Sequence, residues 1–248
     1  MSASALAQPL MSGDRLLRIL ALMSAPAASG ETPRLCQVAA EAIGMSGAGI
    51  MVFEGDLPRG SVCTTGPVSA LIEDLQYTLG EGPCVDAHTL GEPVAEADLA
   101  AADISRWPAF CPPAVGGGAR AVFGFPVRIG AVRLGALNLY RDQPGTLSDD
   151  QHADALVMAD VAARAILSLQ ADAPPGGLAV ELEEGADFHF VVHQAAGMVS
   201  IQLDISVTEA LLRLRAHAFA TETPLAEVAQ DVVDRQLRFA DPPTPDWP

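Results

Sequence analysis

The stretch "ARAVFGFPVRIGAVRLGALNLYRD", residues 119–142, decides the fold. It reads as two strands joined by a short glycine-containing turn, and strands linked that tightly pair antiparallel. Working outward, "GAGIMVF" (47–53) and "GSVCTTG" (60–66) are two further short β-rich runs bounded by glycine. Helical spacing lies on both sides of them. "DRLLRILALMS" (14–24) has apolar residues at helical intervals, and "TPRLCQVAAEAIG" (32–44) opens on Thr32 as cap, with Pro33 in the first turn and Gly44 as the stop. "LSDDQHADALVMADVAARAILSLQ" (147–170) places Ser148 and Gln151 in capping-box spacing and sets Leu156, Val161, Ala165 and Leu169 along one stripe.

Beyond this mixed region, "ADAPPGGLAVELEEGAD" (171–187) breaks the periodicity with Pro-Pro-Gly-Gly and an acidic cluster, and reads as a linker. Only helical periodicity follows, over 188–238, before a proline-rich tail at 239–248. The 248 residues have room for two domains. The predicted class is α+β: an antiparallel sheet flanked by helices over 12–170, then an all-α bundle of three helices.

Bulk composition narrows the function. The net charge of −17 comes from 31 acids against 14 arginines, with no lysine, so the body repels nucleic acid and anionic membrane at long range and any such binding must be local. No apolar run reaches the roughly 18 residues of a membrane span. The N-terminus lacks the pattern of an export signal, so cytoplasm is the expected location and no membrane partner is expected.

Chemistry-bearing patterns are sparse. Cys36, Cys63, Cys84 and Cys111 lie more than twenty residues apart, fitting neither a metal knuckle nor a dense disulfide framework, and are expected in the core. Cys84 and His88 stand at i and i+4, the spacing that puts a thiol and an imidazole on one helix face. A buried cysteine needs no chemistry, however, and no GxSxG, HExxH or P-loop is present. Asp86, Glu92 and Asp98 are three acids among 31. No catalytic residues, no metal site and no cofactor are assigned. Trp107, Phe110, Phe123 and Phe125, with Cys84, are the candidates for lining a small-molecule pocket, set against the alternative that the aromatics fill the core. Arg120, Arg128 and Arg133 read more readily as partners of surface acids than as ligands for an anion.

The order of these elements, with "LGEGPC" (79–84), "GEPV" (91–94) and "RWPAF" (106–110), resembles a GAF domain over about residues 12–170. That resemblance implies a sheet with helices on both faces and a role in sensing a small molecule or in dimerisation. It is similar in particular to the GAF domains that precede ANTAR domains in bacterial regulators.

In the tail, "HQAAGMVSIQL" (193–203) belongs to a helix whose apolar face gathers Phe188, Val191, Val192, Ala195, Met198, Val199 and Leu203, with Gly197 opposite. Ser206 and Glu209 repeat the capping-box spacing before "ALLRLRAHAFAT" (210–221), and Leu225, Val228, Ala229, Val232 and Leu237 stripe a third helix. Ala195 and Gly197, Ala210, Leu214-Arg215, Ala218 and Val228-Ala229 resemble the ANTAR pattern over roughly 181–238, with Ala196 where that family often has a basic residue. The resemblance implies a transcription antitermination regulator that binds tandem RNA stem-loops in transcript leaders. His193, Gln194, Ala196, Gly197 and Ser200 of the first helix and Arg213, Arg215 and His217 of the second are the candidate RNA contacts, Arg215 being as readily structural. Against this, residues 188–240 hold four arginines and six acids. A homodimer, joined through 12–24 and 148–170, is therefore the expected binding form, since it doubles the arginines. The alternative is a bundle whose bare Gly197 face packs a partner helix.

Overall fold

A computed structural model of the chain describes residues 4–24, 31–101, 106–171, 187–188, 190–221 and 223–239. The linker assigned to 171–187 and the tail at 239–248 lie almost wholly outside these. Two units separate at Asp187/Phe188.

In the first unit the hairpin of 119–142 forms as expected: β4 (Ala121–Ile129) and β5 (Val132–Arg141) pair antiparallel, with Gly130 at φ +58° in the turn. β1 (Gly47–Glu54) and β2 (Leu57–Thr64) make a second hairpin, and β1 pairs with β5. β3 (Val94–Glu96) runs along β4, three residues too short to show alternation in sequence. The order within this unit is β3-β4-β5-β1-β2.

Among the described residues six helices accompany this sheet: α1 (Ser4–Ser24), α2 (Glu31–Ile43), α3 (Pro67–Leu79), α4 (Pro83–Leu90), α5 (Cys111–Gly116) and α6 (Asp149–Gln170). α2 begins at Glu31, so Thr32 lies inside the helix and is not its cap; Gly44 ends it at φ +70°. Ser148 and Gln151 cap α6 reciprocally. Of the expected α6 stripe, Val161 is buried but Leu156 is 45% exposed, because the sheet side of α6 runs through Ala155, Met158, Ala162 and Ile166. α1 is clamped to α6 by Arg15 on Asp150 and Asp154 and by Arg18 on Asp154, with Ile19 buried. Arg34 of α2 donates to the Leu22 and Met23 carbonyls that end α1.

Cys36 and Cys63 are not merely core residues: they form a disulfide between α2 and β2, with Cα atoms 6.0 Å apart. Cys84 and Cys111 are buried free thiols.

The second unit holds α7 (Phe190–Leu203), α8 (Val207–Ala220) and α9 (Leu225–Val233), packed through Val192, Ala195, Ala196 and Val199, through Ala210, Leu211, Leu214 and Ala218, and through Leu225, Val228, Ala229 and Val232. Leu237 falls beyond α9 and is half-buried, so the third stripe is one residue shorter than expected. Among the described residues no single helix is long and apolar enough to cross a membrane.

Candidate functional site

The second unit carries an open groove of about 610 Å³. One wall is the stripe Gln194, Gly197, Met198, Ile201 and Gln202 of α7, the i, i+3, i+4, i+7, i+8 spacing of a single helix face. The other wall is built after α9. There Arg235 adopts φ +63°, and the chain turns back so that the Phe239 amide donates to Gln202 Oε1 at 3.0 Å. Arg235 and Arg238 line the groove from this returning segment. Gly197 is its bare floor: a Cβ placed there would meet nothing within 4 Å. Among the described residues, two guanidiniums, two carboxamides and no carboxylate line the space, a chemistry suited to an anionic or planar guest.

Of the residues expected to bind RNA, Gln194 and Gly197 line this groove. Ala196 does not: it is fully buried, being one of the residues through which α7 packs into the bundle. The Ser200 hydroxyl is engaged locally, donating to the Ile205 carbonyl at 2.6 Å to close the turn between α7 and α8. His193 is half-buried on α7. Arg213 is exposed on α8 and Arg215 half-buried there, neither in the groove lining. His217 lies edge-on to Phe239, 5.4 Å between ring centroids, so it supports the returning segment. Met198, expected in the core, lines the groove because the core stripe runs through 192, 195, 196 and 199. Ile201, Gln202, Arg235 and Arg238 carried no signal as a group, since only the reversal at Arg235 brings them together.

In the first unit the expected aromatic pocket is divided by the sheet. Gly124 faces α4, since a Cβ there would overlap the Pro83 carbonyl. Strand alternation then sends Phe123 and Phe125 to the other side, where Phe125 lies 5.3 Å from His152 of α6. Trp107 and Phe110 pack with Ile72, Ala87 and Val122 on the α4 side. All four aromatics are buried core. Cys84 and His88 are both buried on α4, yet they do different work. The imidazole stacks on Phe53 at 3.9 Å and its Nε2 bonds the Gly55 carbonyl at 2.8 Å; burial pushes its pKa down. The Cys84 thiol is pushed well up by burial and then by the Glu73 charge, with Gln76 opposing. Asp86 accepts from Trp107 Nε1 at 3.2 Å and pairs with Arg106, while Asp98 pairs with Arg120 and Arg133 with Asp56. Among the described residues no group of three or more His, Cys, Asp or Glu side chains is placed to hold a metal.

A buried polar set escaped the sequence reading altogether. Asn138 Nδ2 on β5 donates to Glu73 Oε1 on α3 at 3.1 Å, and Gln76 Oε1 accepts from the Cys84 amide at 2.7 Å. Burial pushes Glu73 up to about 8, with Asn138 and Ser61 drawing it back.

A GAF domain family model matches residues 32–167. A search among curated proteins gave no match. Solved structures similar to the chain include the GAF domain of a phosphoenolpyruvate-protein phosphotransferase from Coxiella burnetii, at 18% identity and TM-score 0.49, covering 64% of this chain and 95% of that one. A domain of a two-component sensor histidine kinase from Sinorhizobium meliloti is similar at 21% identity and TM-score 0.44, covering 56% of this chain and 90% of that one. A free methionine-R-sulfoxide reductase from Neisseria meningitidis is similar at 14% and 0.44, covering 63% and 89%. The matched segment spans more than half of the sequence and coincides with the sheet and the helices α2 to α6 around it, so the chain belongs to the GAF domain family.

Proposed function

We propose that the chain is a homodimeric regulator in which the GAF sensory domain is joined to a helical unit that binds RNA stem-loops. The observation that carries the reading is the groove on α7. A loop base entering it finds the backbone open to approach at Gly197, with Gln194 and Gln202 as hydrogen-bonding edges and Arg235 and Arg238 for phosphate or stacking. Among the described residues no acid lines the groove, so a body of net −17 still offers a local cationic surface. Two arginines per copy give weak binding with a shallow salt dependence; paired domains on tandem stem-loops gain by effective concentration. Leu16, Leu17 and Leu20 of α1 and Leu156 and Leu167 of α6 are exposed apolar residues that favour self-association through those helices. Buried thiols with raised pKa values at Cys84 and Cys111 favour a regulator over a thiol enzyme.

The test is a mobility-shift titration of twin stem-loop RNA against a scrambled-loop control at stated salt. Preferential binding of the native loops, lost in Arg235→Ala/Arg238→Ala, supports the reading; equal binding to both RNAs, or none, rejects it. A second reading rests on Ile201, 85% exposed beside Met198 in the same groove: a partner helix docked on the bare face. Under that reading Gly197→Leu abolishes self-association instead of RNA binding.

A further inference from the structure

Glu73 and Gln76 stand at i and i+3 on α3, both buried against the sheet. Asn138 lies between two glycines, since its cross-strand neighbours are Gly49 on β1 and Gly124 on β4. A Cβ at Gly49 would come within 2.5 Å of Glu73 Oε1, and one at Gly124 would overlap the Pro83 carbonyl. The two bare positions let α3 and the start of α4 rest on the sheet backbone, with Asn138 in the seam between them. Asn138 Nδ2 donates to Glu73 Oε1, yet Glu73 Oε2 and Asn138 Oδ1 are both buried without a hydrogen-bond partner. An ionised carboxylate and an amide oxygen are acceptors only and cannot satisfy one another. One proton on Oε2 would supply what both lack: the acid O–H would donate to Oδ1 while the amide N–H donates to Oε1, closing a ring of two hydrogen bonds.

We propose that Glu73 and Asn138 form a proton-binding pair, a neutral carboxylic acid against an amide at neutral pH, and that loss of the proton to solvent base in alkali loosens the seam between α3 and α4. The proposal concerns the GAF unit alone and holds whether or not the helical unit binds RNA.

Only uncharged donors stabilise the anion, the Asn138 amide and the Ser61 hydroxyl, and burial outweighs both. β2 contributes the Ser61 hydroxyl, α4 the Cys84 thiol, β5 the Asn138 amide and β1 the Gly49 backbone, and Gln76 is the neighbour on α3 itself. Tyr140 on β5 and Cys111 on α5 are uncharged near neutrality, and Arg59 at the far end of β2 is paired with Glu54. Among the described residues no cation enters the set, and the carboxyl is pushed up to about 8 by its burial. Cys84 reports on the seam, since its amide is held by Gln76 and its thiol is buried.

The full chain with carboxyl-labelled glutamate is titrated by carbon NMR from pH 5 to 10. One glutamate resonance is expected to titrate near 8 and to be missing from Glu73→Gln. Labelling of Cys84 by a thiol reagent is followed by mass spectrometry relative to the unfolded chain at each pH. It is expected to rise at least tenfold from pH 7 to 9 in the native protein and to stay level in Glu73→Gln, which keeps an acceptor and a donor for Asn138. If every glutamate of the folded wild type titrates in the ordinary range, the proposal fails, and this measurement decides protonation even should the variant not fold. Cys84 labelling with the same pH course in both proteins overturns the switching.

Discussion

Gly124 lies directly beneath Pro83: a methyl group in place of its hydrogen would overlap the Pro83 carbonyl oxygen and sit 3.0 Å from the Cys84 amide nitrogen. Both are backbone atoms at the start of α4, so neither can swing aside as a side-chain tip would. Gly124→Ala is therefore expected to lower stability by about 1–3 kcal/mol, the usual cost of forcing a methyl group into a packed core. Gly116→Ala, where an added Cβ meets nothing within 4 Å, is expected to stay within about 0.5 kcal/mol. Denaturant melts of the two variants check the contrast.

The Glu73 carboxyl gives a pH dependence whose sign is fixed. Its folded value, about 8, lies above the unfolded value of 4.5, so its contribution is fully present below pH 4.5 and is lost as pH rises through 8. At pH 7 the native state retains a proton that the unfolded chain has released, at a cost of roughly 3 kcal/mol. Glu73→Gln removes that cost. Its stability relative to wild type is expected to climb between pH 5 and 8 and then level off; a constant offset in urea melts across that window would contradict the assignment.

Gly197 separates folding from recognition. With open space above it, Gly197→Ala is expected to stabilise the helical unit by about 0.5–1 kcal/mol through helix propensity alone. The same change narrows the groove and is expected to weaken stem-loop binding. Arg235→Ala and Arg238→Ala are each expected to reduce the salt dependence by about one phosphate contact without moving the melting temperature.

The α1 clamp ties stability to self-association. Asp154 is 5% exposed and receives both Arg15 and Arg18, so Asp154→Ala is expected to cost about 1–3 kcal/mol and to release α1 to proteolysis. Leu16→Glu with Leu20→Glu leaves the clamp intact but charges the outer face of α1. Sedimentation should then find the variant at 25.7 kDa and the wild type at twice that mass; a monomeric wild type would remove the basis for a dimer.

Local signals carried the reading as far as local physics reaches. The capping boxes at Ser148/Gln151 and Ser206/Glu209 form with the expected partners, because such bonds depend on residues three apart. The hairpin of 119–142 likewise depends only on its own turn and alternation. What stayed hidden is what folding brings together over distance. Glu73 meets Asn138 across 65 residues and Cys36 meets Cys63 across 27, and neither pairing has a local signature. The aromatic cluster misled for a related reason: proximity in sequence placed Phe123 with Phe110, while strand alternation put a sheet between them. Ala196 misled more simply, since Gly197 beside it is on the open side of the same helix.

Among the described residues only Asp204 and Arg235 hold a positive φ without being glycine. A side chain in that conformation costs roughly 1 kcal/mol that glycine would not incur, so sterics alone would favour glycine at 235. The chain instead keeps an arginine at the bend that folds its own end back over α7. Arg235→Gly would relax the backbone while emptying one side of the groove, making a tighter turn and a poorer binder from a single substitution. Strain at this bend and a cation beside Gly197 are thus two aspects of one residue.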